Sequence, residues 1–90
     1  MTESRTRTIE RQLREYFDPV ELLVKDQSHL HAGHEGARDG RGHFDVTIVA
    51  ETFRGLGRLQ RHRLVHDALQ ELLRTDIHAL RVTALAPGEN

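Results

Sequence analysis

Apolar positions recur with helical spacing at the start of the chain. Ile9, Leu13, Tyr16 and Phe17 fall at i, i+4, i+7 and i+8, on a single stripe. Thr8 is the expected cap, with Glu10 in the first turn, where the helix dipole favours an acid. Asp18 precedes Pro19, and a residue before proline is pushed out of the helical region, so the helix stops there. From Val20 to Asp26 the period shortens to two. Val20, Leu22 and Val24 alternate with Glu21, Leu23 and Lys25, the pattern of a strand with one buried face. A second strand is expected where Phe44, Val46 and Ile48 alternate with Asp45, Thr47 and Val49. Between them, residues 28–42 hold four of the chain's seven glycines and read as a long loop.

A short connection around Phe53 and Gly55 accommodates one helical turn. Leu59, Leu64, Val65, Ala68, Leu69, Leu72 and Leu73 then define a broad apolar helix face, opened by Gly57 and ended by Thr75–Asp76. The last strand runs from Ile77 to Leu85, and Pro87 and Gly88 stop it. The order is α–β–β–short α–α–β within one domain spanning residues 1–90, with its core at about 8–87. Its economical packing is a small two-layer α+β domain: a three-stranded mixed sheet with the helices on one face, the first two strands antiparallel neighbours.

Composition narrows the chemistry. Ninety residues, 13 basic against 14 acidic for a formal charge of −1, exclude a two-domain enzyme with a separate cofactor fold. No apolar run approaches the ~20 residues of a membrane span, and the charged start (Glu3, Arg5, Arg7) lacks the apolar stretch of a signal peptide, so a cytoplasmic domain with no membrane partner is expected. Cysteine is absent, which excludes disulfides, thiolate zinc sites and cysteine nucleophiles. Histidine is abundant: His29, His31, His34, His43, His62, His66 and His78, four of them between residues 29 and 43.

His31-Ala32-Gly33-His34 places two imidazoles three residues apart in the expected loop, with small residues between them that let both turn toward one centre. His78 opens the last strand, where alternation groups it with Leu80 and Val82 as a core histidine. The zinc-protease spacing is missing, because no second histidine follows His34-Glu35 at the required position. Imidazoles without a thiol complete half of an iron–sulfur site at most, so any cluster role requires a cysteine-bearing partner; zinc on three histidines would need none. Arg54, Arg58, Arg61 and Arg63 precede the next acid, Asp67, and mark a basic helix start suited to phosphate contacts. The neighbours His43/Asp45 and His66/Asp67 form no ready acid–base couple, and neither Ser4 nor Ser28 has a nucleophile's setting, so no enzyme is expected.

Several motifs follow one another in a recognisable order. They are Phe17-Asp18-Pro19, Asp26-Gln27-Ser28, His31-Ala32-Gly33-His34 and His43-Phe44-x-Val46-x-Ile48-Val49, then Phe53-Arg54-Gly55, Arg61-His62-Arg63-Leu64-Val65 and Ile77-His78-Ala79-Leu80. Across roughly residues 8–87 the chain resembles the BolA family. The resemblance implies a fold like the class II KH domain and partnership with a monothiol glutaredoxin. In such a pair a 2Fe–2S cluster is bridged, with the glutaredoxin cysteine and glutathione on one side and histidines of this chain on the other. Carried over by position, those ligands are His78 and His31, with His34 as a substitute for His31. Imidazole in place of thiolate would tend to raise the cluster's potential. The resemblance also implies transcriptional regulation, with DNA as partner and Arg58, Arg61 and Arg63 as the contacting residues. Gly55-Leu56-Gly57 departs from the Gly-x-x-Gly loop through which KH domains hold RNA, so RNA binding does not follow from the fold alone.

Overall fold

The computed structural model describes residues 4–27 and 42–89. Helix α1 (Arg5–Phe17) leads into strand β1 (Glu21–Asp26), and strand β2 (Gly42–Val49) is followed by a 3-10 turn (Glu51–Phe53). Helices α2 (Arg58–Ala68) and α3 (Gln70–Thr75) then lead into strand β3 (Ile77–Leu85). The strand order is β1-β2-β3, with β1 antiparallel and β3 parallel to β2. The mixed sheet follows from the connections, because a parallel pair requires a long crossover, here supplied by residues 50–76 with their helices. The expected two-layer α+β architecture is observed.

Alternation decides which face is covered. Phe44, Val46 and Ile48 of the central strand are buried beneath the helices with Val24, Val82 and Ala84. Ile9, Leu13 and Phe17 close the core from α1, and Val65 and Leu69 from the second helical unit. Phe53 is fully buried in the 3-10 turn, its ring centroid 5.1 Å from that of Phe17. At about 25 cal/mol per Å² of apolar surface removed from water, such side chains supply most of the drive to fold.

Local details depart from expectation in five places. Helix α1 begins earlier than Thr8: Ser4 is the cap, its Oγ accepting from the Arg7 N–H at 3.2 Å, and Thr8 instead donates to the Ser4 carbonyl. Glu10 therefore lies beyond the first turn. Asp18 ends the helix at φ 48°, ψ 58°, its N–H donating to the Arg14 carbonyl, so the pre-proline residue escapes into the left-handed region. Val20 is 66% exposed, because it precedes the sheet proper and only its N–H is held, by the Val49 carbonyl at 2.8 Å. Leu59 is 62% exposed, because it lies on the outer face of α2 with Arg63 and His66 rather than on the face that meets β3. The single long helix is two, interrupted at Leu69, whose φ of −110° breaks the helical run while its side chain stays in the core.

The fifth departure concerns His78, which is not a core histidine. A register shift lies between Gly42 and His43: Gly42 pairs with Ile77, whereas His43 pairs with Ala79. One residue of β3, His78, is therefore extra, and such a bulge re-aims the side chains around it. Ile77 turns inward and is buried, His78 is exposed, and Leu80, Val82 and Ala84 resume the covered face.

Candidate functional site

The bulge brings two imidazoles together. His43 lies on the uncovered face of β2 by alternation with buried Phe44, and the bulge swings His78 toward it. Their ring centroids are 5.2 Å apart, with the planes tilted by 51°. His43 is half-buried and His78 exposed. Two imidazoles sharing one tetrahedral ion, each with a metal–nitrogen distance of ~2.0–2.1 Å, have ring centres about 5 Å apart, a spacing that two rings in van der Waals contact also adopt. Among the described residues no group of three or more His, Cys, Asp or Glu could hold a metal ion.

An open depression beside the pair is lined by Gln27, His43, Phe44, Asp45, Ala79, Leu80 and Arg81. One row further along the sheet, Lys25, Asp45 and Arg81 are cross-strand neighbours, a positive–negative–positive line on the uncovered face. The backbone is pinned at this end of the sheet: the Gln27 N–H donates to the His43 carbonyl at 2.8 Å, and the Gly42 N–H donates to the Asp76 carbonyl at 2.9 Å. The chain thus leaves β1 and re-enters β2 next to His43. The sequence between, with the predicted ligands His31 and His34, lies outside the described residues.

His43 and His78 are 35 positions apart in the chain. Only the β2–β3 register, set by the crossover, makes the two rings adjacent.

The three predicted arginines divide between two depressions that share His62. Arg58 and Arg61 line a groove with Leu56, His62 and β3 residues 82–85, whereas Arg63 faces a second depression with Leu59, His62, His66 and Asp67. Arg58 and Arg63 are exposed. Arg61 is engaged internally, with only 13% of its side chain exposed. Its Nε donates to the Leu56 carbonyl at 2.9 Å and its Nη1 to the Ala84 carbonyl at 3.0 Å. Its fork also meets both carboxylate oxygens of Glu89, at 2.6 and 3.0 Å. Glu89 is held down at about 2 by that bidentate bond and by the Ala86 N–H. The same bond raises the Arg61 guanidinium above its ordinary value. Arg61 thereby ties the start of α2 to the end of β3 and to the turn that follows. Arg54 reinforces this corner through Glu51 and the Pro87 carbonyl.

A family model described as BolA-like protein matches residues 13–89. The chain belongs to the BolA family. SufE-like protein 1 of Arabidopsis thaliana is 43% identical over 91 residues, covering 96% of this chain and 24% of that protein. The solved structure of the BolA domain of SufE1 from the same plant superposes with a TM-score of 0.85 at 39% identity, each chain covered completely. The chloroplastic protein BOLA1 of Arabidopsis is 40% identical over 98% of this chain and 57% of its own length. The chain thus spans only part of these plant relatives. The DNA-binding transcriptional regulator BolA of Haemophilus influenzae is 33% identical over 90% of this chain and 76% of that protein.

Proposed function

We propose that this BolA-family chain is a non-enzymatic adaptor in iron–sulfur or iron homeostasis. It binds a monothiol glutaredoxin and, with that partner's cysteine and glutathione, co-ligates a bridging 2Fe–2S cluster. The observation carrying the reading is the His43–His78 pair, set at one end of the sheet by the bulge. His78 is the ligand expected from the family pattern; its companion is His43 or a histidine of the sequence between β1 and β2, His31 or His34. A cluster held there would supply one-electron chemistry and, as cargo, iron and sulfide. This chain's share is to present imidazoles on a strand pair, with Lys25 and Arg81 nearby to moderate the negative charge of a thiolate-ligated centre. A chain with no cysteine cannot supply the thiolates, which agrees with a thiol-bearing partner.

The test is a titration of cluster-loaded glutaredoxin followed by visible circular dichroism. Wild type should produce a spectrum distinct from that of the glutaredoxin homodimer, and His78→Ala should lose it. Comparing His43→Ala with His31→Ala and His34→Ala assigns the companion ligand. A spectrum unchanged by every one of these substitutions refutes cluster ligation.

A second reading is DNA binding, supported by the name of the Haemophilus relative and by the exposed Arg58 and Arg63 on α2. Arg61 then acts by holding the groove together. Electrophoretic shifts at two salt concentrations check it, and no shift at low salt refutes it.

A further inference from the structure

Two imidazoles take no part in this function. His62 and His66 stand four residues apart on α2, one above the other on a single face, with Cβ atoms about 5–6 Å apart by helical geometry. They line one shallow depression with Leu59, Arg63 and Asp67. His62 is half-buried and His66 exposed. Among the described residues neither ring has a hydrogen-bond or ion-pair partner, and Arg63 and Asp67 do not pair with each other. The helix beneath is anchored by fully buried Val65, with Leu69 just beyond it, so the two rings are displayed on a rigid element. They belong to the helical layer, whereas His43 lies on the uncovered face of the sheet.

We propose that His62 and His66 form a two-imidazole chelate for a divalent transition cation on the outer face of α2, taking Cu²⁺ most strongly and Zn²⁺ or Ni²⁺ less so. Imidazole donors suit these ions and not Mg²⁺ or Ca²⁺, and the order among them follows the general affinity series for nitrogen sites. Spacing of i and i+4 on a helix is the arrangement by which two histidines grip one ion in metalloprotease helices. Asp67, next to His66, offsets the unfavourable charge of Arg63 on the same face. No third His, Cys, Asp or Glu joins the pair among the described residues, so further coordination positions stay open to water or to a donor from another molecule. The site is therefore an exchangeable one, unlike a closed structural zinc site. An ion bound there would add two positive charges beside the exposed Arg63.

The histidines of residues 29–43 will also attract these ions, so the readout must be local. Uniformly ¹⁵N-labelled full chain is titrated with substoichiometric CuCl₂ and followed by ¹H–¹⁵N spectra, with ZnCl₂ as the diamagnetic arm. Paramagnetic broadening of amides across residues 58–69, and zinc-induced shifts of the same signals, are expected in wild type. In His66→Asn and His62→Asn the broadening of α2 should require roughly 10-fold more copper or more, since losing a ligand costs at least as much as losing a hydrogen-bonded support of one. Unmoved signals elsewhere in each variant's spectrum show that the fold is intact. Wild-type α2 amides that stay sharp while the 42–43 and 78 signals broaden would overturn the proposal, as would α2 broadening unchanged in both variants.

Discussion

The bulge at His78 makes a prediction that strict alternation along β3 contradicts. If alternation held to the start of the strand, His78 would be in the core and Ile77 in solvent. The structure reverses them, with Ile77 1% exposed. Truncation of a buried isoleucine to alanine costs about 2–5 kcal/mol, from lost transfer free energy plus the cavity left behind, and isoleucine to valine about 0.5–1.5 kcal/mol. A domain of this length has a total stability of about 5–13 kcal/mol. Ile77→Ala therefore removes a large share of it, and Ile77→Val is the safer probe. His78→Ala, at an exposed position, should change stability by no more than ~0.5 kcal/mol. Urea unfolding followed by far-ultraviolet circular dichroism is the assay. With a slope of ~1–1.5 kcal/mol per M, Ile77→Val should lower the midpoint by roughly 0.5–1 M while His78→Ala leaves it in place. A neutral Ile77→Val together with a His78→Ala penalty above about 1 kcal/mol would refute the bulge, and with it the approach of His78 to His43.

Further tests address the other contacts. Glu89 is held at about 2 against an ordinary 4.5, so its bond to Arg61 stabilises the folded chain fully above the ordinary value and is lost as pH falls from there through about 2. The stability difference between wild type and Glu89→Gln, read from thermal melts, should be largest near neutral pH and vanish toward pH ~2; a constant difference would contradict the bond. Arg61→Ala should lower the melting temperature and Arg58→Ala and Arg63→Ala should not, because only Arg61 spans the α2 start, β3 and Glu89. If the chain binds DNA, Arg58→Ala and Arg63→Ala should each reduce the slope of log affinity against log salt by about 1, measured by fluorescence anisotropy. A double-mutant cycle with Phe17→Leu and Phe53→Leu should return a coupling of about 0.5–1.5 kcal/mol from the ring pair at 5.1 Å, and additive effects would deny that contact an energetic role.

Much of the fold was legible in one dimension because it depends on local period. The stripe Ile9–Leu13–Phe17, the alternation of Phe44, Val46 and Ile48, and the stop at Asp18–Pro19 each report a backbone geometry that nearby residues dictate. Where a distant element sets the environment, local period misled. Leu59 has helical spacing but no surface above it, and Val20 has strand spacing but lies beyond the strand's paired length. The paired imidazoles are the clearest case. Nothing near His43 or His78 indicates that they meet; the parallel register of β2 with β3 and a one-residue shift within it bring them within 5.2 Å. A shift of one residue reverses which side chains face the core, so tertiary pairing decided the site, while the residue types available to it were already written along the chain.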